Sequence, residues 1–409
     1  MRPILLPDDL LVTIYLDNHA TTRCDPRVVA AMLPFFSEDY GNAGSVGHGF
    51  GERAREAVDR SRQQIAAAIG ASADEVVFTS GATESNNLAI RGVAERPRRR
   101  GDHLVSVQTE HRAVLDPLAR LAARGWRVTL LGVEQHGLPL AGWLDPQKVA
   151  EAIQDDTCLV SVMLAGNEIG VVQPIAEIAA VCRARGVLLH CDATQAVGKI
   201  PVDVRSLGVD LMSFTAHKLY GPKGIGALYA RGRDPVVRLE PQIFGGGQQG
   251  GRRSGTLNVP GIVGFAAAVG LCVEELESEA ARQGALRDRL ADAVLGSIAG
   301  AELCGPALDA KTPSGAPARL PNNLNVAFGD VDGESLMLAM PQLAVSSGAA
   351  CSSTDPEPSH VLRALGLSPE QARATLRIGL GRFTTAEEVE TAAALIPQAV
   401  AKLRGMGRT

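Results

Sequence analysis

Residues 187–230 read VLLHCDATQAVGKIPVDVRSLGVDLMSFTAHKLYGPKGIGALYA. Three short runs stand out in them, VLLHCD (187–192), LMSFT (211–215) and IGALYA (225–230), each mainly apolar and without strict alternation. Continuous apolar runs of this size mark strands covered on both faces, as in a parallel sheet. The pattern extends upstream through VVFTS (76–80), LVSVQ (104–108), WRVTLL (126–131) and CLVSVML (158–164). Between them lie HRAVLDPLARLAARG (111–125) and IAEIAAVCRARG (175–186), with apolar residues at three- and four-residue spacing and a closing Gly125 or Gly186. A glycine just past the last turn is a helix stop signal. Strands alternating with such helices predict an α/β fold with a large domain built on a mainly parallel seven-stranded sheet.

At 409 residues the chain exceeds what one core usually supports, so two domains are expected. The pattern changes near residue 260, where NVPGIVGFAAAVGLCVEELESEAARQGALRDRLADAVL (258–295) reads as one long helix with bend points at Gly264 and Gly270. The boundary is placed there: a large domain over 16–262, and a smaller C-terminal α/β domain over 263–409 joined by residues 1–15. In the smaller part NLNVAF (323–328), LAVSS (343–347) and TLRIGL (375–380) read as strands, interleaved with helices at 334–340, 360–366 and 385–404. Residues 304–323, rich in Pro, Ala and Gly, read as a loop.

A net charge of −5 offers no basic excess to attract nucleic acid. The longest apolar stretches, 159–166 and 262–272, are too short to cross a bilayer, so no membrane span is expected. The N-terminus carries Asp8 and Asp9 within its apolar residues and shows no cleavage pattern, which reads as cytoplasmic. The seven cysteines are odd in number and form no C-x-x-C pair, which argues against a disulfide framework and against a zinc site; no metal is expected.

Ligands of open α/β sheets bind beyond the carboxyl ends of the strands. After VVFTS come Gly81, Ala82, Thr83 and Glu84, a turn into a helix that would aim backbone N–H groups at a phosphate, or else a capping box serving only the helix. Asp192 ends one strand with Gln195 close behind, and Thr215, His217 and Lys218 end another. An aspartate can keep a heteroaromatic nitrogen protonated and a lysine can condense with an aldehyde, so the two together suggest pyridoxal phosphate. Singly, each reads more simply as a helix cap and a surface charge. GGGQQG (245–250) satisfies G-x-G-x-x-G but lacks the strand–turn–helix setting of a dinucleotide site.

LDNHATT (16–22), SGATESNN (80–87), TEH (109–111), NEIGVVQPI (167–175), DATQAVGK (192–199), AHKLYGPKGIGALY (216–229), GGGQ…RSGTLN (245–258), SSGAAC (346–351) and LRIGLGRF (376–383) occur in this order. Together they resemble the cysteine desulfurases of the NifS and IscS type, class V aminotransferases on the fold-type I pyridoxal-phosphate scaffold, over about residues 14–390. The resemblance implies that Lys218 bonds the cofactor, that Asp192 faces its ring nitrogen and Gln195 its phenolic oxygen, and that His111 stacks on the ring. It implies Asn167 near the cofactor oxygen and substrate carboxylate, and Ala82, Thr83, Thr215 and His217 at the phosphate. Thr256 would reach the phosphate of a second subunit, making a homodimer. Arg377 would grip the carboxylate of L-cysteine, with Asn18 bordering the same pocket, and Cys351 would take the sulfur as a persulfide. Small and polar residues around Cys351, with two prolines, predict an exposed loop. The resemblance further implies transfer to a protein acceptor, in iron–sulfur cluster assembly or a thiolation pathway.

Three positions depart from the family pattern: His19, Gly166 and Gln249, where Asn or Ala at 19 and Glu at 249 would be usual. None is expected to touch the catalytic set. The end AKLRGMGRT also departs, having no long hydrophobic tail of the kind IscS-type enzymes use to engage a scaffold. Rival readings are a selenocysteine lyase, an aminotransferase, or a catalytically silent sulfur-transfer partner.

Overall fold

The computed structural model describes residues 13–97, 100–348 and 357–406. Cys351 therefore lies outside the described residues.

Every one of the seven apolar runs holds a strand of one sheet: β1 (Val76–Thr79), β2 (His103–Val107), β3 (Arg127–Leu131), β4 (Thr157–Ser161), β5 (Leu188–Asp192), β6 (Leu211–Thr215) and β7 (Gly226–Ala230). Their order is β1-β7-β6-β5-β4-β2-β3. All pairings are parallel except those of β7, which runs antiparallel to β1 and β6. Only residues 216–225 join β6 to β7, too short a link for the crossover that a parallel pair requires, so the chain must turn back. Burial on both faces holds for six strands. β3, at one sheet edge, departs from it with Arg127 and Leu130 exposed, whereas β1 at the other edge stays buried.

Helix α1 (Gly49–Ala68) lies on this layer with α2 (Ala82–Ala94), α3 (Arg112–Ala122) and α4 (Ile175–Ala184). Gly125 and Gly186 take φ of +91° and +63°, the left-handed turn expected just past α3 and α4. The long helix expected over 258–295 is instead two, α5 (Val259–Glu274) and α6 (Leu276–Ser297), meeting at 73°. The expected bend points lie within α5 and serve packing. A Cβ on Gly264 would come 2.5 Å from Met32 Sδ, and one on Gly270 2.4 Å from Gln64 Nε2. The break falls at Glu275, whose carboxylate is held by Arg27 and Arg382, each at 2.8 Å.

A second, antiparallel sheet contains β8 (Ala301–Leu303), β9 (Asn323–Phe328), β10 (Ser346–Ser347) and β11 (Thr375–Gly379), in the order β10-β11-β9-β8. The run LAVSS, expected as one strand, is divided: Leu343–Ala344 pairs with Ile14–Tyr15, and Ser346–Ser347 joins the second sheet. The C-terminal helix α7 (Ala386–Met406) packs on α6. Val105, Val160, Leu189, Phe214 and Phe265 belong to the core around the large sheet. Leu16, Leu290, Leu324, Ile378 and Ile396 belong to a separate core under the small one. No single helix among the described residues is long and apolar enough to cross a membrane.

Candidate active site

The carboxyl ends of β1, β5 and β6 open on one cavity of about 510 Å³. It is lined by Ala82, Thr83, His111, Asn167, Asp192, Gln195, Thr215, His217 and Lys218, nine of the residues singled out in the sequence. At its anion-ready end, α2 begins after Gly81, which has φ +150° and no side chain to cap the first turn. A Cβ on the neighbouring Gly226 would lie 2.7 Å from Gly81 Cα, so this turn is packed tightly against β7. The capping-box alternative does not form. Glu84 instead accepts the Ser80 N–H at 2.8 Å and pairs with Arg253 at 2.8 Å. Thr215 Oγ1 donates to the Ile225 carbonyl at 3.0 Å. His217 is paired with Thr21 Oγ1 at 3.2 Å, and burial with the charge of Lys218 lowers its pKa to about 4, so it is neutral near pH 7.

Asp192 is buried at the end of β5, each carboxylate oxygen taking one hydrogen bond: Oδ2 from Asn86 Nδ2 at 2.7 Å, Oδ1 from the Thr194 N–H at 3.0 Å. Lys218 Nζ donates to the carbonyls of His19 and Ala20. Burial, then the charge of Arg377, lowers its pKa to about 8, against the opposing pull of Asp17 and Asp192. His111 caps α3, its Nδ1 accepting the Ala113 N–H at 3.0 Å. The protein packed around the imidazole lowers its pKa by desolvation, which favours the neutral ring, and with Nδ1 accepting from Ala113 its own proton sits on Nε2.

Gln195 is held on both ends of its amide: Nε2 donates to the His19 carbonyl at 2.9 Å, while Oε1 meets His19 Nδ1 at 3.1 Å and Lys199 Nζ at 2.7 Å. His19 therefore does touch the predicted site, contrary to expectation; it is buried, and its carbonyl also receives Lys218. Arg377 does not line the cavity. Its Nη2 bonds Asp17 at 3.0 Å and Ser346 at 2.9 Å, and Nε is buried with no partner among the described residues. Asn18 donates to the Gly379 carbonyl at 2.9 Å and borders a neighbouring hollow with Tyr15 and Lys223. Thr256 is exposed and lines no part of its own chain's cavity.

Three buried polar residues of the site carried no sequence signal beyond lying within the family motifs. Asn86 holds Asp192. Lys199 holds Gln195 from the i+4 position, the one spacing that could have pointed to it. Glu110 accepts the Met163 N–H at 2.5 Å, and burial followed by the charge of Asp192 raises its pKa well above the usual carboxyl value.

The chain matches the class-V aminotransferase family over residues 14–391. It is 53% identical over 396 residues to the cysteine desulfurase IscS of Anaeromyxobacter sp. (strain Fw109-5), covering 97% of this chain and 94% of the relative. Among solved structures, a NifS-like protein superposes with a TM-score of 0.86 at 36% identity, covering 95% of this chain and all of that one. DndA from Streptomyces lividans superposes with a TM-score of 0.72 at 39% identity, covering 88% and 97%. With sequence and fold matched along nearly the whole of both partners, the chain belongs to the class-V aminotransferase family and, within it, to the cysteine desulfurases.

Proposed function

We propose that the chain takes sulfur from L-cysteine, releases L-alanine and keeps the sulfur as a persulfide on Cys351. The observation that carries this reading is that Lys218, Asp192 and the uncapped start of α2 line one cavity. Class-V aminotransferases use pyridoxal 5'-phosphate, and the residues present fit it. The first turn of α2 with Thr215 and His217 would hold the phosphate, Asp192 the ring nitrogen, Gln195 the phenolic oxygen and Lys218 the aldehyde carbon. Bound there, the cofactor supplies an electron sink that acidifies the substrate Cα–H and weakens its carbon–sulfur bond.

The chain's own groups do the rest. An amine that loses its proton near pH 8 lets Lys218 take and return the Cα proton close to neutrality. His111 lines the cavity and is the group that can relay a proton for the substrate thiol and Cys351, since only the thiolate is nucleophilic. Asn167 and Arg377 orient the substrate carboxylate, Arg377 through the donors that Asp17 and Ser346 leave free. The sulfur leaves the substrate carbon for the Cys351 thiolate: L-cysteine and Cys351–SH become L-alanine and Cys351–S–SH, with no outside oxidant.

A large and a small domain are supported by the separate cores under the two sheets, and because Phe265, Val269 and Cys272 pack in the large-sheet core, the division is better placed after α5 than near residue 262. A homodimer is supported by the exposed Thr256 with Val236 and Phe244 in the same segment, and by the exposed Leu33, Phe36, Tyr40 and Val46. Six described cysteines, none in a disulfide, suit a reducing cytoplasm and a protein acceptor that draws the sulfur onward. Replacing Cys351→Ala is expected to abolish alanine release from cysteine while the visible absorbance of the bound cofactor stays near that of the wild type. Retained turnover would overturn the role of Cys351.

A further inference from the structure

Lys199 is buried and has no carboxylate within ion-pair distance among the described residues; its one hydrogen-bond partner there is Gln195 Oε1 at 2.7 Å. Ordinarily a buried ammonium so placed is costly, and is kept only where it does something that an apolar residue cannot. The groups around it are Lys218, His217 and His19 toward the cavity, and Cys272, Tyr220, Glu279 and Arg382 on the other side.

The geometry fixes which end of the Gln195 amide faces which way. The His19 carbonyl can only accept, so the atom 2.9 Å from it is Nε2. Oε1 is therefore turned to Lys199 and to His19 Nδ1, which must carry its proton to donate at 3.1 Å. His19 Nε2 is left as a buried lone pair with no partner among the described residues, an expense consistent with a histidine held in one tautomer by the bond at its other nitrogen. The second hydrogen on Gln195 Nε2 has no protein acceptor among the described residues, and Gln195 lines the cavity.

We propose that Lys199 and His19 are positioning residues that lock the Gln195 amide with its oxygen turned away from the cavity, so that the remaining N–H is always offered to an anionic oxygen on the bound cofactor. This rests on the cofactor reading above. A freely rotating glutamine would present its oxygen about half the time, repelling the same anion. Lys199 adds a second property: burial, then the charge of Lys218, lowers its pKa to about 7, so it is charged for part of the time near neutrality and still a donor when neutral.

The test is the pH titration of the visible absorbance of holoenzyme reconstituted with pyridoxal phosphate. A donor that stabilises the anionic oxygen lowers its proton affinity, so losing the donor raises the midpoint. A hydrogen bond to a charged group corresponds to roughly one pH unit or more. Lys199→Met is expected to raise the midpoint by about one pH unit, Gln195→Ala by at least as much, and Lys199→Arg, which keeps a donor, by much less. In a Gln195→Ala background, Lys199→Met should add nothing. An undiminished shift in that background would show Lys199 acting as a bare charge and overturn the lock, as would no shift in the single variant. Should Lys199→Met not fold, His19→Ala in the same cycle decides between the same outcomes. Wild-type protein with no visible band after reconstitution would overturn the cofactor reading itself, a result distinguishable from an intact band with unmoved midpoints.

Discussion

Removing the Asn86 side-chain amide tests whether Asp192 is a pre-set anion for a bound ring or merely a buried strand end. Asn86 is fully buried on α2, and its Nδ2 supplies the sole donor to Asp192 Oδ2 among the described residues, at 2.7 Å. Asn86→Leu keeps the volume and deletes that donor. A hydrogen bond to a charged group contributes about 1.5–3 kcal/mol, which converts to roughly a tenfold to hundredfold change in an equilibrium constant. The loss should not fall on folding. With the cavity open, water can replace the donor at Asp192, and Asn86 Oδ1, buried with no partner among the described residues, no longer has to be desolvated. Once a ring closes over Asp192 that water is excluded and the missing donor is felt. Titration of apoprotein with pyridoxal phosphate, followed by absorbance, is therefore expected to give a Kd raised at least tenfold, with the thermal midpoint of the apoprotein unchanged or slightly higher. A Kd within twofold of wild type would refute the argument. So would a large fall in apoprotein stability with unaltered affinity, which would make Asn86 a core residue only.

In apoprotein, labelling of Lys218 by an amine-reactive reagent should rise with pH through a midpoint near 8, and Asp17→Asn should move that midpoint down, because Asp17 favours the charged amine while its loss also unshields Arg377; an upward move would refute the assignment. Arg382→Met strips buried Asp25 and half-buried Glu275 of a partner held at 2.8 Å from each, and should cost about 3 kcal/mol at neutral pH, the lower end for a broken buried pair because Arg27 still serves both carboxylates. Arg27 first, and Arg382 with it, holds the Asp25 carboxyl well below its usual range, so the stability it contributes is present above about pH 4 and lost as pH falls through the folded value. Thermal midpoints of variant and wild type should thus converge toward acid pH; a constant gap would sink this account.

How much of this could be read in advance follows from which forces are local. The seven strands were legible because a strand covered on both faces is predominantly apolar without alternation, and such runs are visible without knowing the partner. That β3 is an edge was not, since edge position is set by the order in which strands pair. The break at Glu275 was equally hidden: the residues that hold its carboxylate, Arg27 and Arg382, are remote in sequence, whereas the glycines that looked like bends only make room for Met32 and Gln64. At the site, Lys218 and Asp192, which act by their own chemistry, were suggested as a pair by type and by place after a strand, whereas His111 was legible only through the family motif. Asn86 and Lys199 act by holding another side chain, and a holder has no residue-type signature until its partner's position is known.

The three departures from the family pattern show the same division between reacting atoms and their supports. Gly166 donates to the Val171 carbonyl at 2.9 Å in a turn so close that a Cβ would lie 3.2 Å from Val171 Cγ1, so a small residue there lets Asn167 reach the cavity wall. Gln249 takes the Phe78 N–H at 2.7 Å and gives a hydrogen bond to the Phe78 carbonyl at 2.8 Å. β1 is an edge strand, and both polar groups of its Phe78 are thereby covered by one amide. A glutamate could accept the first bond but could not donate the second, and its charge would face the carbonyl. The amide therefore ties the segment carrying Thr256 to the sheet more completely than the usual carboxylate would. His19 fits where it does because Gly379 has no Cβ, which would lie 2.6 Å from its ring. Position 379 is thus constrained by position 19, and a side chain larger than glycine there is expected to displace His19 from Gln195 before it disturbs any group that touches the reaction.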